Sequence, residues 1–161
     1  MRFVDLAERE MTALLSGELP MPGLSDYFLD DRAQWLWRYR LGQMAADPAN
    51  TAWMVRLAAY DSDGMAVGHC GFHGPPDEHG MVEIGYSVAP EFRRRGYGRA
   101  MLVELLRRAA ADPGVAVVRA TIAPDNVASL ATIAGFGFVE TGEQWDEEDG
   151  REIIFEVAPA R

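Results

Sequence analysis

A run of arginines and glycines at Arg93–Arg99 carries the residue types and spacing that most clearly indicate chemistry. It reads Arg-Arg-Arg-Gly-Tyr-Gly-Arg and lies between a predicted strand and a predicted helix. A helix N-terminus leaves backbone N–H groups unpaired and carries partial positive charge, and glycine lets the backbone approach an anion closely. The loop is therefore predicted to bind phosphate. The alternative is a solvated arginine turn that caps the helix.

Two common phosphate motifs are excluded by what the chain lacks. A P-loop needs Gly-x-x-x-x-Gly-Lys-Ser/Thr, and no Lys-Ser or Lys-Thr pair is present. A dinucleotide fingerprint needs Gly-x-Gly-x-x-Gly, but Met101 stands at the place of the third glycine. The loop must serve another phosphate-containing ligand.

The elements on either side of the loop are predicted to position it. Residues 81–88 alternate in polarity as a strand does, and Pro90 ends that strand because proline cannot donate to the ladder. The two faces carry Val82, Ile84, Tyr86 and Val88 on one side and Glu83, Gly85 and Ser87 on the other. A helix follows over residues 98–111, with Leu102, Leu105, Leu106 and Ala109 on its apolar face.

The remaining pattern predicts one α/β domain over residues 1–161, with a mixed, mostly antiparallel sheet and helices on both faces. A strand at 2–6, or direct entry into a helix, precedes helices ending near 15 and spanning 31–44. Strands at 51–60 and 65–73 flank a turn at 61–64. After the central strand and helix come a buried strand at 115–123, a short helix capped by Asp125 or Asn126, and strands at 138–145 and 151–157.

Composition excludes several classes of function. The formal net charge of -10 disfavours nucleic-acid binding, which needs a basic surface. It mildly favours a cationic partner, and the alternative is that the charge serves solubility alone. No apolar run is long enough to span a bilayer, and no signal peptide is recognisable. The single cysteine, Cys70, suits a reducing, cytoplasmic location and is expected to be a small buried residue.

Metal binding is not predicted. His69 and His73 lie on one face of a predicted strand, but four residues at strand rise place them about 13 Å apart. They cannot share one zinc ion. His73, near the strand end, is a candidate for lining an acceptor site.

The chain resembles the GNAT (GCN5-related) N-acetyltransferases in the residues quoted so far and in a later segment. Arg93-x-x-Gly96-x-Gly98 matches the family's Arg/Gln-x-x-Gly-x-Gly/Ala motif, and 85–90 (Gly-Tyr-Ser-Val-Ala-Pro) is similar to its fourth strand. Asn126-x-x-Ser129 followed by Gly137-Phe138 is similar to its Asn-x-x-Ser…Gly-Phe segment. The resemblance covers residues 81–138 and is nearest to ribosomal-protein and antibiotic N-acetyltransferase-like members.

The resemblance implies a GNAT-like fold and an acyltransferase that uses acetyl-CoA, or another acyl-CoA, without a metal. The N–H of Val88 would face the thioester carbonyl, where one donor to a developing oxyanion contributes a few kcal/mol. The strand carrying Val88 would splay from the strand carrying Ile122. The residues implied to bind the cofactor are Val88, Ala89, Arg93, Arg94, Arg95, Gly96, Tyr97, Gly98, Arg99, Ala100, Asn126 and Ser129. Asn126 is also expected as a helix N-cap, alone or in addition.

Transfer to an amine requires a base, because amines are mostly protonated at neutral pH. Glu83 is the candidate, since a carboxylate within a strand needs a reason to be there; pairing with an arginine or solvation at the sheet edge is the alternative. The family's thiolate acid is a tyrosine four residues beyond the serine, where this chain has Ile133. Solvent or another group such as Tyr86 would then supply the proton.

The acceptor pocket implied by the resemblance is formed by the first two helices and the last hairpin. Those segments contribute Asp26, Asp30, Asp31, Trp35, Trp37 and Trp145, a set of acids beside aromatics that suits a cationic amine. The alternative is that Trp35 belongs to an ordinary helix core and the last turn is merely solvated. The acceptor is a small-molecule, protein or peptide amine.

Two other functions remain open from the sequence. Ile133 at the acid position favours a non-catalytic module that binds acyl-CoA, and a nucleotide-binding protein of another fold would also use the arginine loop. The assembly is a monomer, or a homodimer paired through the hydrophobic strand around Ile153, Ile154 and Phe155.

Overall fold

The computed structural model describes residues 1–161, which form seven strands and five α-helices. The strands are β1 (Arg2–Leu6), β2 (Arg56–Tyr60), β3 (Ala66–Phe72), β4 (Met81–Val88), β5 (Val117–Ile122), β6 (Val139–Asp146) and β7 (Gly150–Val157). The helices are α1 (Glu8–Leu15), α2 (Asp31–Ala46), α3 (Thr51–Met54), α4 (Tyr97–Ala111) and α5 (Val127–Ile133). No helix is long and apolar enough to cross a membrane.

The strands form one mixed sheet in the order β1-β2-β3-β4-β5-β7-β6, which confirms the predicted α/β class. Neighbouring strands pair antiparallel except β4 and β5, which are parallel. Helix α4 supplies the crossover between these two strands, as a parallel pair requires.

Two hydrophobic cores lie on opposite faces of the sheet. Helix α4 buries Met101, Leu102, Leu105 and Ala109 against one face, at the spacing of a helical stripe. Helices α1 and α2 cover the other face with a second cluster that contains Phe28 and Trp37. The buried polar side chains on this side of the sheet, such as Arg56 and His69, therefore lie beside an apolar cluster.

Strands β4 and β5 separate halfway along their length. Their pairing covers only Met81–Glu83 against Val117–Arg119, while β4 stays paired with β3 as far as Val88. Beyond Glu83, the β5 side of β4 has no strand partner. This gap opens toward the N-terminus of α4 and confirms the splay implied by the family resemblance.

Two predictions about the outer elements are wrong. Residues 51–54 form the short helix α3, and the strand begins only at Arg56; four residues are too few to show a helical period. Strand β7 lies between β5 and β6, so its backbone is already paired on both sides and cannot pair across a dimer. The free edge on that side is β6.

Candidate active site

The loop before α4 presents an unbroken series of free backbone N–H groups. None of the N–H groups of Arg94–Arg99 donates to another atom of the chain, and the first helical bond runs from Ala100 N–H to Gly96 O at 3.1 Å. Gly96 is the N-cap with φ of 83°, and Arg94 has φ of 60°. Left-handed residues alternating with ordinary ones turn successive N–H groups inward and form an anion nest. The arrangement fits the pyrophosphate of CoA.

Three of the four arginine side chains hold the loop in shape. Arg93 Nε donates to the carbonyl of Val88 at 3.1 Å. Arg95 lies over the ring of Phe92 at 5.6 Å, and Arg99 over Phe136 at 4.4 Å. All four remain at the rim of the cleft, where they add positive potential to the nest.

The N–H of Val88 points into the gap between β4 and β5. His73 donates its N–H to Glu83 O at 2.8 Å, and Ala89 donates to Val67 O at 2.9 Å. Odd-numbered residues of β4 therefore bond toward β3, and the alternation of an antiparallel ladder turns Val88 the other way. The backbone thus provides a donor next to the nest.

Glu83 lies on the floor of the cleft, on the face covered by α1 and α2. Its Oε1 accepts a hydrogen bond from Thr121 Oγ1 at 2.6 Å and lies 3.5 Å from His73 Nδ1. No arginine pairs with it, so the predicted alternative of an arginine ion pair is wrong. The side chain is 23% exposed, which leaves it accessible from the cleft. Thr121 was not predicted, because it is brought to Glu83 only by the pairing of β4 with β5.

The segment after β5 divides its residues between capping and the core. Asn126 caps α5 by accepting the N–H of Ser129 at 3.1 Å, which confirms the predicted cap. Ile133 is buried in the core and offers no proton. Tyr86 reaches this helix from β4: its hydroxyl lies beside Ser129 and Thr132 without a hydrogen-bond partner, and burial raises the pKa of this phenol.

The cleft continues from the nest past Glu83 to the last hairpin and has a volume of about 1980 Å3. This exceeds the roughly 300–1,000 Å3 of a pocket for one small ligand. It has room for a cofactor and an acceptor together.

The predicted acceptor residues separate into two groups. Asp30, Asp31 and Trp35 line the cleft, although Asp30 also caps α2 by accepting the N–H of Ala33 at 2.8 Å. Asp26 and Trp145 do not line it. Trp37 is fully buried and donates to the carbonyl of Phe28, so it belongs to the core. Conversely, Trp35 is 48% exposed, which makes the helix-core alternative wrong for this residue.

The far wall of the cleft carries a buried carboxyl that the sequence did not single out. Glu152 on β7 is 8% exposed and accepts from Gln144 Nε2 at 3.0 Å. Burial raises the pKa of this carboxyl, and the charges of Asp146 and Asp149 in the turn add to the effect. Asp146, Glu148 and Asp149 of the turn also line the cleft, so this wall is rich in acidic side chains.

Cys70 and the histidines play no nucleophilic or metal-binding part in this arrangement. Burial raises the pKa of the Cys70 thiol to about 12, which leaves it unreactive. His69 is buried with its Nδ1 against Arg56 Nη2. No group of three or more His, Cys, Asp or Glu side chains is placed to hold a metal ion.

The sheet has a splayed parallel pair of strands, and the crossover helix between them begins at an anion nest. This arrangement is typical of proteins that bind a phosphate-bearing cofactor beside a strand edge. The family model described as an acetyltransferase (GNAT) domain matches residues 6–139. The chain belongs to this family. The match confirms the predicted family resemblance and the predicted enzyme class, an acyltransferase.

Individual relatives agree with this assignment. The uncharacterised N-acetyltransferase YjdG of Bacillus subtilis is 37% identical over 73 residues, which cover 45% of this chain and 44% of that protein. The chain thus matches less than half of the length of this relative.

Solved structures share the fold at low sequence identity. A ribosomal-protein-S5-alanine acetyltransferase of Vibrio fischeri superposes with a TM-score of 0.70 at 14% identity, over 98% of this chain and 92% of that one. A dodecameric spermidine N-acetyltransferase of Vibrio cholerae superposes with a TM-score of 0.66 at 15% identity, over 98% of this chain and 93% of that one.

Proposed function

We propose that the protein transfers an acetyl group from acetyl-CoA directly to a primary amine, with both substrates bound in the cleft. The observation that carries this proposal is the run of free N–H groups at Arg94–Arg99 next to the inward N–H of Val88. Acetyl-CoA would supply the thioester that is cleaved. Asn126 and Ser129 line the cleft between the nest and the gap. Ala89 and Ala100, which were also predicted to bind the cofactor, do not line it, because Ala89 is fully buried and both N–H groups are already bonded within the chain, to Val67 O and Gly96 O.

Three groups of the chain would then act at the reacting atoms. Glu83, held by Thr121, takes the proton of the amine directly or through one water. The N–H of Val88 hydrogen-bonds the thioester oxygen as it gains negative charge. Tyr86 is the candidate proton donor to the departing thiolate, because its hydroxyl has no partner in the protein.

The acceptor is an amine carried by a small molecule, a peptide or a protein. The acidic wall around Glu152 and Asp146 supports an acceptor that arrives as an ammonium ion. The solved structures named for spermidine and for an alanine of ribosomal protein S5 indicate two kinds of amine to screen. We retain a monomer or homodimer and a cytoplasmic location as predictions.

Thermal melting with acetyl-CoA, CoA, ATP and NAD at equal concentrations tests the cofactor. A ligand that binds only the folded state raises the melting temperature, so acetyl-CoA and CoA should raise it and ATP and NAD should not. An increase with ATP or NAD alone would overturn the proposal. Thiol release with a panel of amines then separates an enzyme from a module that only binds CoA.

A further inference from the structure

Two arginines are buried at the acceptor end of the cleft without a carboxylate partner. Arg40 on α2 and Arg56 on β2 are each 3% exposed and both line the cleft. No carboxylate oxygen lies within 4.0 Å of a guanidinium nitrogen of either arginine, whereas the half-exposed Arg151 forms an ion pair with Glu143. A buried charge without a partner is destabilising by several kcal/mol. An arrangement of this kind indicates that a ligand completes it.

A pair of glycines makes room for one of these arginines. Gly71 on β3 and Gly85 on β4 face each other in register. A Cβ on Gly71 would lie 2.9 Å from Arg56 Cδ, and one on Gly85 would lie 2.8 Å from His73 Nε2 and 3.7 Å from Arg56 Nη1. Arg56 therefore crosses the sheet over two residues that have no side chain and reaches the strand of Glu83.

The hydrogen bonds of the two guanidinium groups use only neutral acceptors. Arg56 Nη2 contacts His69 Nδ1 at 3.2 Å and Gly85 O at 3.1 Å. Arg40 Nη1 donates to Gln43 Oε1 at 2.6 Å and to His73 O at 2.7 Å. Both Nε atoms are buried without a partner, and Arg56 Nη1 and Arg40 Nη2 make no hydrogen bond within the chain. Donor capacity thus remains on both groups.

The charged groups around the two arginines favour an anionic ligand. Burial and the nearby Arg56 lower the pKa of His69, so this ring is neutral, whereas His73 is 45% exposed. Burial and the charge of Arg40 lower the pKa of Arg56 to about 9, which leaves it protonated at neutral pH. Glu83 is the carboxylate whose charge acts on Arg40. The two arginines therefore lie close to one carboxylate, that of Glu83, which forms an ion pair with neither of them, and this favours an anionic ligand beside the arginines.

We infer that Arg40 and Arg56 form a subsite for a carboxylate carried by one of the two substrates. The planar guanidinium fork matches a carboxylate, and a carboxylate is a monoanion where a phosphate is nearly a dianion. Gly85, which Arg56 contacts, is two residues beyond Glu83 on the same face, a distance of about 7 Å along the strand. The carboxylate therefore binds a few bonds from the reacting atoms.

The inference rests on the proposed acyl transfer and allows two sources for this group. One is the acceptor, which would then carry a carboxylate as well as its amine, as an amino acid does. The other is the acyl group, which would be the half-thioester of a dicarboxylic acid. In both cases the reaction is unchanged. The amine nitrogen bonds the thioester carbon and gives up a proton, the carbon–sulfur bond breaks, and the departing thiolate takes up a proton to become the thiol.

Matched substrate pairs distinguish the two sources. Succinyl-CoA against butyryl-CoA tests the donor, and L-amino acids against their primary amides test the acceptor, both by kcat/KM from thiol release. Wild-type protein should prefer the carboxylate member of one pair by about 10- to 100-fold, as expected for charge-assisted hydrogen bonds. Arg40→Met and Arg56→Met should each remove most of this preference while leaving the affinity for CoA unchanged.

Arg38→Met is the matched control, because Arg38 is exposed on the same helix two residues from Arg40. It should keep the full preference. Equal use of both members in both pairs by wild-type protein overturns the inference, whether or not the variants fold. That result leaves the proposed function intact, since CoA-dependent stabilisation and transfer to a neutral pair member would still occur.

Discussion

The cofactor end of the cleft is built from backbone atoms of one short segment, and the acceptor end from side chains of five different elements. At the first end, the N–H groups of Arg94–Arg99 follow one another in the chain. At the second, Arg40, Arg56, Glu83, Thr121 and Glu152 come from α2, β2, β4, β5 and β7. The first end presents backbone N–H groups, with the side chains of Arg93, Arg95 and Arg99 supporting the loop, and the second end presents side chains. Substitutions at the two ends should therefore affect different kinetic constants.

The acceptor end should respond most strongly to loss of the candidate base. Glu83→Gln keeps the hydrogen bond from Thr121 but cannot take a proton, so kcat should fall by about 100- to 10,000-fold. The affinity for CoA, measured by calorimetry, should stay within experimental error. An unchanged kcat with a shifted CoA affinity would show that Glu83 belongs to the cofactor end and not to the acceptor end.

The cofactor end should respond to its backbone. Gly96→Ala puts a Cβ on a residue with φ of 83°, a strain of about 1–3 kcal/mol that should weaken CoA binding about tenfold or more. Gly64→Ala is the matched control, because Gly64 has a similar φ of 79° in the turn between β2 and β3 and has nothing within 4 Å of an added Cβ. Similar losses in both variants would contradict a nest shaped by Gly96.

Tyr86 lies between the cofactor end and the acceptor end, and its substitution tests whether its hydroxyl is catalytic or structural. Tyr86→Phe removes a buried hydroxyl without a partner, so the melting temperature should stay the same or rise. If the phenol donates to the thiolate, kcat should fall several-fold at unchanged KM for acetyl-CoA, and the loss should shrink with an acyl donor whose thiol is more acidic. A lower melting temperature at unchanged kcat would make the hydroxyl structural.

The effect expected at Glu152 on stability is the smallest of the four. Burial raises the pKa of its carboxyl, so the folded state favours the protonated form and loses stability as pH rises from the unfolded pKa through the folded one. Glu152→Gln should therefore raise the melting temperature at neutral pH, with a difference that vanishes in acid. Glu156→Gln on the same strand should instead lower it, because Glu156 pairs with Arg119 at 2.6 Å. The same sign in both variants would refute this account.

The two ends also differ in how far the sequence reveals them. The nest is contiguous, so glycine spacing and the strand–helix context predict it, and the cap by Asn126 follows from the same local rules. The acceptor end depends on register. Nothing near Glu83 in the chain indicates that Thr121 contacts it. That Gly71 and Gly85 lie opposite each other is known only once the register of β3 and β4 is known.

Helix α2 shows why Trp37 was predicted to line the pocket together with Trp35. Its buried positions are Ala33, Trp37, Arg40 and Met44, spaced as one helical stripe. An arginine within that stripe hides the pattern, because arginine normally indicates the solvent side. Arg40, which obscures the helical pattern in the sequence, belongs to the proposed carboxylate subsite.

The crossing of Arg56 over Gly71 and Gly85 ties three positions of the chain together in evolution. A side chain at Gly71 would collide with Arg56, and one at Gly85 would collide with His73 and contact Arg56. Shortening the arginine alone leaves a void over both glycines. Each single step is unfavourable while the combined change is not. Homologues should therefore either keep all three residues or replace them together, and a lineage that made the exchange should have changed its acceptor or its acyl donor.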